Sequence, residues 1–274
     1  MQLIRVGVGL LAAIVSGHSA WAAVPQRIAS LNLCTDQILL QLVPKQRIVG
    51  LSRMSQIPAN SPLFERAKGL PSLSGNAEEV LALQPDLVLV GTQTTRHTAA
   101  LLRDFGIPVL AIAGANSLSD VREQIRTVAL AVGEPNQGAQ VIATLDVQAQ
   151  NIQRGLDRSG DVAVPYWAGG RSAGQGTLHD DILLVAGYVN GASKAGLKGY
   201  GSLALERVVE QRPQLLVSND YKRGEPTLGN RVLKHPALQG IGARELQLPS
   251  RQTSCGGLWN LDAAAWLALQ GAKP

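Results

Sequence analysis

One phrase in this chain occurs twice, and the repetition limits what the chain can fold into more than any other feature. Glu78-Glu79-Val80-Leu81-Ala82-Leu83-Gln84-Pro85-Asp86-Leu87-Val88-Leu89-Val90 returns as Glu206-Arg207-Val208-Val209-Glu210-Gln211-Arg212-Pro213-Gln214-Leu215-Leu216-Val217-Ser218, with glutamate, valine, proline and leucine in register. In each copy the first part has the apolar spacing of a short amphipathic helix, the proline stops it, and the following run reads as a buried strand. Helix, tight turn and parallel strand form the repeating unit of an α/β sheet. A Pro-x-Leu-x-Val run alone is common in α/β chains, but a second echo occurs in the same order. Thr35-Asp36-Gln37-Ile38-Leu39-Leu40 resembles His179-Asp180-Asp181-Ile182-Leu183-Leu184, and each follows a strand-like run, Arg27 to Leu31 or Asp161 to Tyr166. Two echoes in one order predict two similar halves.

The spacing predicts strands at 27–31, 47–52, 86–91 and 107–113 in the first half, with helices at 35–42, 77–84 and 95–105. From Ser117, an N-cap ahead of Asp120, to about Asp157 the chain is helix-forming, interrupted near Gly133-Glu134-Pro135. This is more helix than a crossover needs and reads as a stiff connector; the competing reading is a helical cover on one continuous sheet. The second half restarts with a strand at 161–166. Helices near 177–186 and 203–212, strands at 214–218 and 245–248 and a last helix from about 260 to 270 follow. The expected division is therefore a secretory signal at 1–22, a first α/β lobe at 23–116, a helical connector at 117–160 and a second α/β lobe at 161–274.

The signal rests on Arg5, the apolar run Val6 to Val15, too short to span a bilayer, and the small-x-small site Ala20-Trp21-Ala22. Export to the periplasm is the expectation. The formal charge of +5 becomes +4 without Arg5 and is scattered, so nucleic acid is not an expected partner. Cys34 and Cys255 are the only cysteines. An oxidising compartment lets them pair, and two free thiols lining one cleft is the alternative.

In parallel α/β sheets ligands sit at the carboxyl ends of strands. The loops there contain Asn32, Cys34, Arg53 and Gln93 in the first half, and Trp167, Arg171, Tyr221, Arg223, Cys255 and Trp259 in the second. The first half after residue 22 has no Trp or Tyr, so the aromatic residues of the second half stand out. Trp167 and Trp259 are flanked by glycines or small residues that let a bulky ligand approach. Aromatic faces beside arginines suit a flat, partly anionic molecule. With only His97, His179 and His235 after the signal, and no Cys-x-x-Cys, a metal would arrive already chelated. No cofactor is expected.

One enzyme motif competes. Gly170-Arg171-Ser172-Ala173-Gly174 matches the nucleophile elbow of serine hydrolases, followed in order by Asp220 and His235, which makes a secreted serine hydrolase the alternative function. In a true elbow the helix starts at the serine, whereas Gly174-Gln175-Gly176 delays it to about Thr177. No upstream His-Gly-Gly motif supplies an oxyanion hole. The chain is therefore read as a binding protein and not an enzyme.

Nearly the whole chain after residue 22 resembles the periplasmic substrate-binding proteins of ABC importers for vitamin B12, ferric siderophores and haem. The likeness rests on Arg27-Ile28-Ala29-Ser30-Leu31, Arg47-Ile48-Val49-Gly50-Leu51-Ser52, the Glu78 to Val90 phrase, Gly106-Ile107-Pro108-Val109, and Ala186-Gly187 through Glu206 to Pro213. It implies two Rossmann-like lobes joined by a long backbone helix, a ligand cleft between the lobes, and a monomer that delivers a metal chelate to an inner-membrane ABC permease. It also implies that Glu78 and Glu206, at the same repeat position, dock on permease arginines. The loops at Asn32-Leu33-Cys34 and Ser254-Cys255-Gly256-Gly257 depart from the best-known members, which leaves corrinoid, siderophore and haem all open.

Overall fold

The computed structural model describes residues 23–156, 160–220 and 228–271. The expected signal and the candidate residues Tyr221 and Arg223 lie outside the described residues. In the first lobe the chain runs β1 (Ile28–Ser30), α1 (Leu33–Leu42), β2 (Ile48–Ser52), α2 (Phe64–Ala67), β3 (Ser72–Leu73), α3 (Ala77–Ala82), β4 (Leu87–Gly91), α4 (Arg96–Asp104) and β5 (Val109–Ile112). Two helices follow, α5 (Leu118–Ala131) and α6 (Pro135–Arg154). The second lobe runs β6 (Val162–Pro165), β7 (Arg171–Ala173), α7 (Leu178–Val185), β8 (Val189–Asn190), α8 (Gly191–Lys194), β9 (Tyr200–Ser202), α9 (Leu205–Glu210) and β10 (Leu215–Asn219). It ends with α10 (Leu228–Arg231), α11 (Pro236–Gly240), β11 (Arg244–Leu248) and α12 (Trp259–Gly271).

The two halves form separate parallel sheets, ordered β3-β2-β1-β4-β5 and β11-β10-β6-β8. One continuous sheet is thereby ruled out. In both, the first strand of the half lies between the next strand of the same sheet, β2 or β8, and the strand of the duplicated phrase, β4 or β10. Leu87 pairs with Ile28 and its repeat partner Leu215 pairs with Ala163. The phrase keeps its backbone as well: Gln84 and Arg212, each just before the proline, both have positive φ, 46° and 45°. Proline disfavours the right-handed helical conformation in the residue before it, so the helix ends there in a left-handed turn that delivers the chain to the strand. After the proline, the Asp86 carboxylate accepts the backbone N–H groups of Gln26 and Arg27, and the Gln214 side chain accepts that of Val162.

Successive strand residues point to opposite faces, and both faces are covered, as parallel sheets require. Ala29, Val88 and Val90 pack outward under α3 and α4; Val162, Val164 and Leu216 do the same in the second lobe. The alternate residues Ile28, Leu87, Leu89, Ala163, Leu215 and Val217 all join one inner cluster. That cluster continues through Ile38 and Leu39 of α1, Ile125 and Val128 of α5, Leu145 of α6, Ile182 of α7 and Leu267 of α12. The lobes thus share a dry core through their helices. Gly133, with φ of +74°, and Pro135 at the first turn of α6 separate the two interlobe helices. Arg47 fastens this turn to the first lobe through Glu134 (2.6 Å) and the Val132 carbonyl, while Asp181 of the second lobe accepts the N–H of Leu118 at the start of α5 (2.7 Å).

The short elements missing from the sequence reading are β3, β7, β8, β9, α2, α8, α10 and α11. Each has five residues or fewer and is too brief to show a period. Two of them make the main difference between the lobes: β7 and β9 pair antiparallel, outside the second sheet.

Candidate functional site

A covalent bond joins the segments that follow the carboxyl ends of β1 and β11. Cys34 sits in the first turn of α1, just beyond β1, and Cys255 lies in the loop that follows β11; the two form a disulfide with a Cα–Cα distance of 5.2 Å. Of the two possibilities open for these cysteines, the structure has the bridge, which removes both as free-thiol ligand contacts. Arg251, in the same second-lobe loop, donates to the Pro58 carbonyl of the first lobe at 3.3 Å.

Asn32, Cys34 and Gln93 come together around a cavity of about 120 Å³ at the ends of β4 and β5, bordered also by Thr94 and Ile112. Asn32 is the N-cap of α1: its Oδ1 accepts the Cys34 N–H at 3.0 Å and its Nδ2 donates to Thr94 Oγ1 at 3.2 Å. Both ends of this amide are engaged in holding the loops. Gln93 is exposed, and its Oε1 accepts from Arg96 at 2.7 Å. Arg53 follows β2 at the carboxyl edge with an exposed side chain.

On the second lobe, Trp167 follows β6 and belongs to an aromatic corner. Its ring lies 4.9 Å from His179 and 6.3 Å from Tyr200, and His179 Nδ1 is 3.2 Å from the Tyr200 hydroxyl. Burial pushes the His179 imidazole down to about 4, so the ring is uncharged at neutral pH. The ribbon of β7 and β9 builds this corner: Trp167 N–H bonds to the Arg171 carbonyl at 2.8 Å, and Tyr200 opens β9. Arg171 is exposed on the same ribbon. The sequence reading missed His179 and Tyr200. Tyr200 carries the same glycine flanks, Gly199 and Gly201, that drew notice to Trp167, and His179 stands where the echo in the first half has Thr35.

Trp259 does not face the cleft. It is 4% exposed, its Nε1–H donates to the Cys255 carbonyl at 2.8 Å, and its ring covers Gly257, where an added Cβ would meet it at 2.3 Å. Its glycine neighbours accommodate the tryptophan itself, so a ligand-contact role does not fit this placement.

The hydrolase triad does not assemble. Ser172 is buried in the middle of β7, where its hydroxyl donates to the Pro165 carbonyl at 2.5 Å. Asp220 accepts from the Ser250 backbone N–H at 2.7 Å, and His235 caps α11 by accepting the Ala237 N–H. A nucleophile elbow presents its serine on a strand-to-helix turn, and this serine lies inside a strand. Glu78 and Glu206 occupy the first turns of α3 and α9 with exposed side chains, and neither makes a salt bridge among the described residues.

The family model for periplasmic binding proteins matches residues 28–245. A cobalamin-binding protein of Halobacterium salinarum is 29% identical over 200 residues, covering 71% of this chain and 54% of the relative, so the chain spans about half of that protein's length. The periplasmic heme-binding protein RhuT from Roseiflexus sp. RS-1, in its apo form, superposes with a TM-score of 0.72 at 28% identity, over 89% of this chain and 97% of the other. A possible iron-binding, periplasmic solute-binding protein from Staphylococcus epidermidis shares the fold with a TM-score of 0.79 at 19% identity, over 92% of this chain and all (100%) of the other. With its duplicated parallel sheets, shared helical core and a family match over most of its length, this chain belongs to the periplasmic binding protein family.

Proposed function

We propose that this chain is the solute-binding component of an ABC importer, captures a metal chelate outside the cytoplasm, and delivers it to an inner-membrane permease. The observation that carries the reading is the corner of Trp167, His179 and Tyr200 beyond the carboxyl end of β6, taken with the Asn32, Cys34 and Gln93 cavity at the strand ends of the first lobe. Its flat faces suit a macrocycle or an aromatic chelator, and an uncharged imidazole beside a phenol suits a ligand whose metal has an open position. The exposed Arg53 and Arg171 would attract its anionic groups. Heme- and cobalamin-binding relatives support this ligand class, and haem, corrinoid and ferric siderophore are all members of it.

The shared core supports a cleft that closes little on binding. Residues 117–160 would act as the stiff connector between lobes at 23–116 and 161–274, in a monomer exported to the periplasm through the signal at 1–22. Glu78 and Glu206 would dock on permease arginines, one from each lobe, and Asp220, Ser172 and His235 serve the fold and not a hydrolytic reaction. Fluorescence titration with hemin, cyanocobalamin and ferric siderophores tests the reading. Saturable quenching by one of them, lost in Trp167→Ala, is the expected result; no quenching by any of them overturns it.

A further inference from the structure

We propose that the Cys34–Cys255 bridge is a reducible latch that holds the cleft in its binding geometry and is released by a dithiol. The bridge links residues 221 positions apart and joins the first turn of α1 directly to the 249–258 loop of the other lobe. Its placement at the cleft is what distinguishes it from a simple staple. Cys34 borders the 120 Å³ cavity together with Asn32 and Gln93, so the first-lobe end of the bridge is part of that cavity's wall.

The second-lobe loop has much to lose if the bridge opens. Arg251 reaches the Pro58 carbonyl by a single exposed hydrogen bond of 3.3 Å. The segment beyond Cys255 is fitted closely: a Cβ at Gly256 would lie 2.3 Å from Val121 of α5, and Trp259 hangs from the Cys255 carbonyl. Motion of Cys255 is therefore felt at α5 and at the start of α12.

The two sulfurs differ in access. Cys255 is 4% exposed, whereas Cys34 is half-buried on the cavity side. An incoming thiolate attacks Cys34 Sγ, forming a mixed disulfide and expelling Cys255 as a thiolate, which takes up a proton. The second thiol of the reductant, as its thiolate, then attacks its own sulfur in the mixed disulfide and releases Cys34 as a thiolate in the first turn of α1, where the helix N-terminus favours negative charge before protonation. Two electrons and two protons pass from the dithiol to the bridge, leaving two thiols here and a disulfide on the reductant.

Backbone hydrogen exchange measured on the oxidised protein, the dithiothreitol-reduced protein and the C34S/C255S double variant tests the latch without any ligand. Amides at 250–258 and in the first turn of α1 should exchange about tenfold faster in both bridge-free forms, while the sheet-core amides, which open only with the whole fold, stay the slowest in every form. The consequence for affinity rests on the proposed chelate binding, so it forms a separate arm: whichever of hemin, cyanocobalamin or a ferric siderophore binds the oxidised protein should bind the reduced form about fivefold more weakly. Equal exchange in all three forms overturns the latch, as does a bridge that dithiothreitol opens only after the protein is unfolded, or equal affinity in the two redox states. If no chelate binds either form, the functional reading fails while the exchange data still decide the latch.

Discussion

The two lobes share a scaffold down to single hydrogen bonds and differ where the sheets end. In the first, buried Asp36 of α1 accepts the hydroxyls of Ser52, at the end of β2, and Ser55, three residues on. In the second, Asp180 of α7 accepts from Asn190, at the end of β8, and Ser193, again three residues on. The first lobe adds a fifth strand, β3, at its sheet edge; the second has instead the β7–β9 ribbon that carries the aromatic corner. Repetition has been kept where strands must be spaced and abandoned where a ligand would be met. A duplicated fold thus has unlike strand ends, one polar and bounded by a helix N-terminus, the other aromatic.

The comparison can be broken most severely at the paired glutamates. Reversing both, Glu78→Lys with Glu206→Lys, should abolish uptake in cells while chelate affinity stays unchanged, and each single reversal should cost a similar part of the uptake. Loss of affinity would move these residues out of a docking role.

The next effect concerns the tie between the lobes. A bridge enclosing so much of the chain restricts the unfolded state, and its loss in C34S/C255S should lower stability by about 5 kcal/mol in urea denaturation. A loss near zero would mean that the shared helical core alone holds the lobes together.

Asp36 gives a pH test of the polar bolt. Burial raises its carboxyl from 3.8 to about 7, outweighing the serine hydroxyls that favour the charged form. Because the native state holds this proton more tightly than the unfolded chain, the stabilisation is complete below about pH 4 and is lost as pH rises to about 7, at most about 4 kcal/mol. Asp36→Asn, which cannot titrate, should flatten that part of the stability profile measured by urea unfolding between pH 4 and 8. An unchanged slope would place the titration elsewhere.

The smallest effect sharpens the symmetry itself. Gln84→Gly and Arg212→Gly relieve the same left-handed strain and loosen the unfolded chain equally, so each should stabilise by about 0.5 kcal/mol in thermal unfolding. Opposite signs would show that the two turns are held by different surroundings.

Much of the fold was legible because its signals are local. The unbroken apolar run Leu87 to Val90, the proline stops and the Ser117 cap placed the long elements within a few residues of where they lie. The candidate site was legible only in part. Asn32 and Gln93 do meet at one cavity and Trp167 does stand at the second edge, but Trp259 has the same small neighbours as Trp167 and is buried beneath its own loop. A glycine marks a close approach without saying whether the approaching group is a ligand or a side chain of the same protein. The hydrolase motif failed likewise: its letters fit, and the strand around Ser172 hides the hydroxyl.

The sequence by itself determined the duplication, the strand and helix alternation and the edge on which chemistry should be sought, because helix stops, caps and apolar periods act over a few neighbouring residues. Only the tertiary structure decided that Cys34 and Cys255 pair, that His179 and Tyr200 join Trp167, and that the two sheets share one core. Each of these depends on side chains far apart in the chain arriving within a few ångströms, a distance set by how whole elements pack.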